Sequence, residues 1–316
     1  MIQNKITIGV VGLGLMGSSI ATCILSAGHP VIGLVKSLDE KEQVRGRILE
    51  FLQELQKERL LKTNPHAVLE NLLITDQPAS LVPCRLIIES IFENITEKKA
   101  VYRELELHIG QDVIIGSNTS AIPVSLLQSE LQHPERFLGL HWAEPAHITR
   151  FMEIICGDRT DPANALFMQT LAETWGKEPS LVRKDIRGFI TNRIMYAMIR
   201  EAFHLVEGGY ATYEDVDRSL RNDLGAWITF AGPFRFMDLT GIPAYAAVMQ
   251  DLLPELDNSM DVPAAMKALV DSGAKGTSNA SGFYPYDADS ARDWERRFIE
   301  FSYDIRQLSE KYRQNI

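Results

Sequence analysis

Three glycines near the start constrain the fold more than any other feature. Residues 8–20 read IGVVGLGLMGSSI: a β-branched apolar run breaks into Gly12-x-Gly14-x-x-Gly17 and resumes as a helix-forming stretch. Ile6–Val11 predicts a buried strand. Met16–Ala27 predicts a helix that Gly28 ends and Pro30 keeps from resuming. Val31–Val35 predicts a second strand, so the unit closes within about thirty residues, the size of a βαβ crossover. In that setting each glycine has a task. Gly12 permits the tight turn, Gly14 lets the backbone approach a pyrophosphate, and Gly17 lets the helix pack on the strand. The first helical N–H groups, at Leu15, Met16 and Gly17, then offer an anion about half a positive charge.

The rest of the chain falls into two textures. Ser37-Leu38-Asp39-Glu40 reads as a capping box opening a long helix, with Val44, Ile48, Phe51, Leu52 and Leu55 on one face. Strand candidates recur at Leu72–Thr75, Leu86–Glu89, Val113–Gly116, Phe137–His141, Met152–Ile155 and Ser180–Val182, with helical stretches at Thr96–Leu107 and Ala163–Trp175. This alternation predicts an α/β, doubly wound, mostly parallel sheet. After Lys184 the candidates are helical: Gly188–Glu207, Tyr213–Leu220, Ala244–Leu253, Pro263–Ser272 and Ala291–Tyr312. The expected domains are therefore residues 1–184, dinucleotide-binding, and 185–316, helical. Trp294, Phe298, Phe301, Ile305 and Leu308 share a face of the last helix and predict a core or dimer contact.

Composition narrows the partners. The 316 residues are 45% hydrophobic and 23% charged, with net charge −10, so neither duplex nucleic acid nor an anionic membrane surface is expected as partner. No window holds about 20 uninterrupted apolar residues, and the N-terminal apolar run is too interrupted for a signal peptide. Cys23, Cys84 and Cys156 are sparse and odd in number, which predicts reduced thiols in a cytosolic (cytoplasmic) protein. No Cys/His spacing predicts a metal site.

The residue after the second strand decides the cofactor's ribose end. A carboxylate there would accept from the ribose hydroxyls and select NAD. This chain has Lys36, which cannot accept but can attract a 2′-phosphate, so NAD and NADP both stay open.

A histidine suits the base that oxidation of a secondary alcohol needs, because it titrates near neutrality. His141 closes a predicted strand, where ligands bind in such sheets, and Glu153 follows twelve residues later in the next apolar run. Four further stretches carry a resemblance: LIIESIFENITEKKAV at 86–101, VIIGSNTSAIPVSLL at 113–127, HPERFLGLHWAEPAHITRFMEII at 133–155 and DIRGFITNRIMYAMIREAFHLVEGG at 185–209. With the glycine motif, AGPFRFMDLTGI at 231–242 and SGFYPYD at 281–287, the chain resembles the 3-hydroxyacyl-CoA dehydrogenase family, which also contains 3-hydroxybutyryl-CoA, gulonate and carnitine dehydrogenases.

That resemblance implies a Rossmann-type domain followed by an all-helical one that dimerises. It implies an NAD(P)-dependent oxidoreductase interconverting a 3-hydroxyacyl-CoA thioester and its 3-oxo form. His141 and Glu153 become a general acid–base dyad, Ser117 a hydrogen bond to the substrate oxygen, and Asn192 an orienting residue. Glu93 and Lys98 become contacts to the cofactor's ribose and nicotinamide side, joined by Asn118. The phosphates of CoA would need cations such as Lys41, Arg45, Arg47, Lys57, Arg59 and Lys62, which equally form a solvated mixed-charge face.

One position departs. Where many relatives have His-x-x-Asn-Pro, this chain reads His141-Trp142-Ala143-Glu144-Pro145. A second carboxylate near His141 would raise its pKa or compete with Glu153. It would also suit a cationic group on a substrate other than an acyl-CoA, and His147 is a further titratable group without an assigned place. A dehydrogenase of a small free hydroxy acid, gulonate- or carnitine-like, and a cofactor-binding protein without turnover are the alternatives.

Overall fold

The computed structural model describes residues 5–312. Eight strands form one sheet in the order β3-β2-β1-β4-β5-β6-β7-β8. They are β1 (Ile8–Val11), β2 (Val31–Leu34), β3 (Leu72–Thr75), β4 (Leu86–Glu89), β5 (Ile114–Ser117), β6 (Phe137–Trp142), β7 (Phe151–Cys156) and β8 (Glu178–Val182). Every neighbouring pair is parallel except β6 and β7. The chain winds outward from β1 to β3, then returns to place β4 on the other side of β1. That reversal opens a crevice beyond the carboxyl ends of β1 and β4, the place where open α/β sheets bind ligands.

The connecting helices are α1 (Leu15–Ser26), α2 (Lys41–Lys57), α3 (Pro65–Leu69), α4 (Ile95–Glu106), α5 (Val124–Leu127) and α6 (Pro162–Thr174). Strands β1, β4 and β5 are buried along their whole length, as a sheet covered on both faces requires. α2 buries Val44, Ile48, Leu52 and Leu55 at helical spacing, and Phe51 is half-buried beside them. The predicted capping box is not what forms. Ser37 accepts from Asp39 N at 3.2 Å and closes a 3-10 turn over Leu38–Glu40, and Glu40 caps nothing with its side chain. A hydroxyl two residues from an N–H makes the tighter turn first.

The chain's contacts divide it after Asn192. The second unit takes α7 (Thr191–Glu207) from Arg193 onward and contains α8 (Tyr213–Asn222), α9 (Leu224–Phe230), α10 (Gly232–Thr240), α11 (Ile242–Leu252), α12 (Ala264–Asp271) and α13 (Ala288–Lys311). On α13, Trp294, Phe298, Phe301 and Leu308 are exposed, while Ala291 and Tyr303 are buried. The aromatic stripe is therefore not core within the chain. Among the described residues no helix is long and apolar enough to cross a membrane.

Candidate active site

The glycine loop has the geometry its spacing implies. Gly12 has φ +86°, and a Cβ there would lie 2.7 Å from Ser90 O on the loop after β4. A Cβ on Gly17 would lie 1.9 Å from Gly12 O, so only glycine lets α1 approach β1 this closely. A Cβ on Gly14 would meet nothing within 4 Å; its surroundings are open. Gly14 is also the N-cap of α1, and no side chain caps that helix. A cradle of bare backbone at an uncapped helix start fits a dinucleotide's pyrophosphate. Arg47 braces the loop from behind, donating to Leu13 O at 3.2 Å and Ser18 Oγ at 3.3 Å. Lys36 is exposed just after β2.

Glu89 ends β4 wholly buried, and donors surround its carboxylate. Ile91 N and Lys98 Nζ each lie 2.7 Å from Oε1. Ser117 Oγ donates to Oε2 at 2.8 Å, and the Tyr102 hydroxyl donates to the same oxygen. Burial and the Glu89 charge push the Tyr102 phenol well above its ordinary pKa. Ser117 and Lys98 have no exposed surface. This corrects the expectation that they touch substrate and cofactor directly: Ser117's hydroxyl and Lys98's ammonium are enclosed and bonded to Glu89. Neither Glu89 nor Tyr102 was identified from the sequence. A carboxylate closing an apolar strand, and Lys98, Tyr102 and Leu105 on one buried face of α4, were the available signals.

Glu93 fastens the loop after β5. Its Oε1 accepts from Thr119 Oγ1 at 2.6 Å, Ser120 N at 2.8 Å and Ala121 N at 3.2 Å. Lys98 Nζ lies 3.4 Å from its Oε2. Partial burial alone would raise the Glu93 carboxyl, but the Thr119 bond, the Lys98 charge and the two N–H groups outweigh it and hold it low. Asn118 ties this loop to its neighbours, donating to Ser90 Oγ at 3.1 Å and accepting from Trp142 N at 3.2 Å. Asn192 donates to Ser120 O at 2.7 Å, and the Ser120 side chain is on an exposed residue.

His141 and Glu153 are direct partners across the antiparallel β6–β7 ladder. His141 Nδ1 lies 2.8 Å from Glu153 Oε2. The carboxylate accepts the imidazole proton at Nδ1, which leaves Nε2 unprotonated in the neutral ring. Glu153 Oε1 accepts from Ile190 N and Thr191 N, each at 3.0 Å, where α7 begins. Burial would raise the Glu153 carboxyl, but the His141 bond, the two N–H groups and the histidine's charge outweigh it and keep it below the ordinary range. Phe151 and Phe189 flank the imidazole, with centroids 5.4 and 5.5 Å away. Phe189 takes a left-handed φ of +55°, a strained setting for a side chain, immediately before the two N–H groups that hold Glu153.

Glu144 is exposed; the carboxylate bonded to His141 is that of Glu153. His147 is buried on the other side of the segment, its Nδ1 2.7 Å from Ser19 Oγ and its ring stacked on Phe51 at 4.4 Å. Lys177, also buried, donates to Ala146 O and Thr149 O under the Trp142 ring. These contacts fix the segment that follows the catalytic strand candidate.

A bare-backbone anion cradle, a buttressed histidine and a sheet reversal between them define a dinucleotide-dependent oxidoreductase. The chain belongs to the 3-hydroxyacyl-CoA dehydrogenase family: that family's NAD binding domain matches residues 7–186 and its C-terminal domain residues 188–286. It is 32% identical over 293 residues to 5-formyl-3-hydroxy-2-methylpyridine 4-carboxylate 5-dehydrogenase of Mesorhizobium japonicum, covering 92% of this chain and 93% of that protein. A crystal structure of a 5-dehydrogenase for the same pyridine acid, described as an NAD+-dependent dismutase, is similar at TM-score 0.90 and 29% identity, covering 97% of this chain and 99% of that one. The (S)-3-hydroxybutyryl-CoA dehydrogenase of Ralstonia eutropha is similar at TM-score 0.75 and 28% identity, covering 90% of this chain and all of that one.

Proposed function

We propose that the chain is an NAD-dependent dehydrogenase acting on a carbinol group of a small free acid. The observation that carries this reading is the His141–Glu153 pair, a histidine with its distal nitrogen left basic and its other nitrogen clasped by a buried carboxylate. His141 Nε2 takes the hydroxyl proton, and Glu153 stabilises the imidazolium that forms. Bound NAD supplies the hydride acceptor. Ser120 and Asn192, joined at the substrate side, orient the oxygen. The backbone at Gly12, Gly14, Leu15, Met16 and Gly17 binds the pyrophosphate, and Glu93 accepts from a ribose hydroxyl. Asn118 sets the loop between them. The same base serves an alcohol or the hydrate of an aldehyde.

One observation supports a free acid over a thioester: the likeness to the pyridine-carboxylate enzyme, in sequence and in structure. A 3-hydroxyacyl-CoA is the second reading, supported by the family and by the hydroxybutyryl-CoA relative. Residues 1–184 act as the dinucleotide-binding part, and 185–316 as the substrate and dimerisation part. The exposed α13 stripe supports a homodimer. Nicotinamide absorbance followed with aromatic aldehyde acids, free hydroxy acids and acetoacetyl-CoA separates the substrate readings. His141→Ala should lose about 10²- to 10⁴-fold in kcat. Turnover near that of the wild type would remove His141 from the base role.

A further inference from the structure

We propose that Phe189 is a positioning residue whose ring sets the plane of the His141 imidazole, and so the direction in which Nε2 points. The proposal rests on the reading of His141 as the base. Among the described residues three other than glycine have a positive φ: Phe189 at +55°, Arg59 and Ala280, and neither of the last two is buried. A left-handed φ is costly for a bulky side chain and free for glycine. The chain does use glycine one residue earlier, where Gly188 has φ +80°. At 189 it keeps a buried phenylalanine instead. Glycine there would serve the backbone equally well. The peptide unit leaving residue 189 carries the Ile190 N–H that Glu153 accepts, and its direction needs only the left-handed turn. What glycine lacks is the ring.

The ring acts on the freedom that the dyad leaves open. The bond from Nδ1 to Glu153 Oε2, 2.8 Å, fixes one point of the imidazole. Tilts of the ring about that point redirect Nε2 without breaking the bond. Two aromatic rings oppose such tilts. Phe151 meets the imidazole edge-on, at 5.4 Å and 88°, and Phe189 lies 5.5 Å away at 56°. Phe151 comes from the same strand as Glu153, on regular β backbone. Phe189 comes from the turn before α7 and belongs to the buried core that also holds Ile155 and Val182. A close-packed core does not yield, so the ring is a fixed wall. Without it Nε2 can swing off the substrate oxygen, and a misplacement of about 1 Å costs a reaction on the order of 10²-fold.

The test compares wild type, Phe189→Gly, Phe189→Leu, His141→Ala and the double variant Phe189→Gly/His141→Ala, all as the full chain. Turnover is followed by nicotinamide absorbance with aromatic aldehyde acids and with acetoacetyl-CoA. NMR of the His141 ring, on chain labelled with nitrogen-15 in histidine, needs no substrate. Phe189→Gly should lower kcat about ten- to a hundredfold, with the NADH Kd within about twofold of wild type. In the His141→Ala background the same change should alter kcat by less than about twofold, an outcome that a ring serving only as core filler would not produce. The Nδ1-bound proton of His141, one sharp signal in the wild type, should broaden in Phe189→Gly. Phe189→Leu leaves a smaller cavity and should move kcat and the signal in the same direction, which keeps the test available if Phe189→Gly folds poorly. Wild-type kcat and an unbroadened signal in folded Phe189→Gly and Phe189→Leu would overturn the proposal alone. So would an equal loss of kcat with and without His141. Turnover by His141→Ala near that of the wild type would overturn the reading of the base as well.

Discussion

Alanine at Gly17 and at Gly14 should give opposite defects. At Gly17 the new methyl would sit 1.9 Å from Gly12 O and 2.9 Å from Gly12 C, both backbone atoms with no rotamer to yield. Roughly 1.5 Å of separation must open between α1 and the end of β1, and overpacking on this scale costs about 1–3 kcal/mol. For a unit of this size that is a Tm fall of about 2–12 °C. At Gly14 φ is −63° and the methyl meets nothing within 4 Å, so stability should stay within about 0.5 kcal/mol. The methyl would stand where a pyrophosphate approaches, and NADH affinity should fall about tenfold or more, as when one charge-assisted backbone hydrogen bond is lost. Thermal melts and NADH fluorescence titrations on both variants are sufficient. Gly14→Ala binding NADH like the wild type would refute the cradle; Gly17→Ala melting like the wild type would refute the close-packing argument.

Three further outcomes are expected. Lys98→Met leaves Glu89 buried with its cation gone and should destabilise the chain by about 3–5 kcal/mol in urea unfolding. Glu153 carries a folded-state pKa below its ordinary 4.5, so its ionisation contributes stability above about pH 4.5 that is lost as pH falls through the depressed value. Urea midpoints measured from pH 6 to 3 should show this loss, and Glu153→Gln should remove that part of it. Lys36→Asp should shift preference toward NADH over NADPH, read from the ratio of the two kcat/KM values; an unchanged ratio would mean that Lys36 does not face the ribose.

The sheet was readable because its signal is local. Leu72–Thr75 and Leu86–Glu89 form as the apolar runs predict, and the other strands differ only by a residue or two at their ends. Helix α3 spans five residues and starts from Asn64 and Pro65, too short for periodicity to register. Helix α10 begins at Gly232 with Pro233 in its first turn, where proline costs no helical hydrogen bond, and it lies in a stretch, 221–243, for which the sequence predicted no helix. At the site, His141 and Glu153 could be paired from spacing and resemblance. Ser117 and Lys98 could not be placed correctly, because what encloses them is Glu89, reached from another strand, and Tyr102, one turn along a helix whose buried face looks like ordinary core. Ser120 lies three residues past Ser117: Ser117 is enclosed and bonded to Glu89, whereas Ser120 is exposed and its carbonyl accepts from Asn192.

The cross-strand pairing of His141 with Glu153 has a consequence for how this scaffold can change. A slip of one residue between β6 and β7 would send the acid to the opposite face of the sheet, so the alignment of these two strands is rigidly specified. The connection that joins them, residues 143–150, is tied down through His147 on Ser19 and through Ala146 and Thr149 on Lys177, but Glu144 at its start is exposed. Side chains at that exposed position can be exchanged while the His141–Glu153 register beneath stays in place.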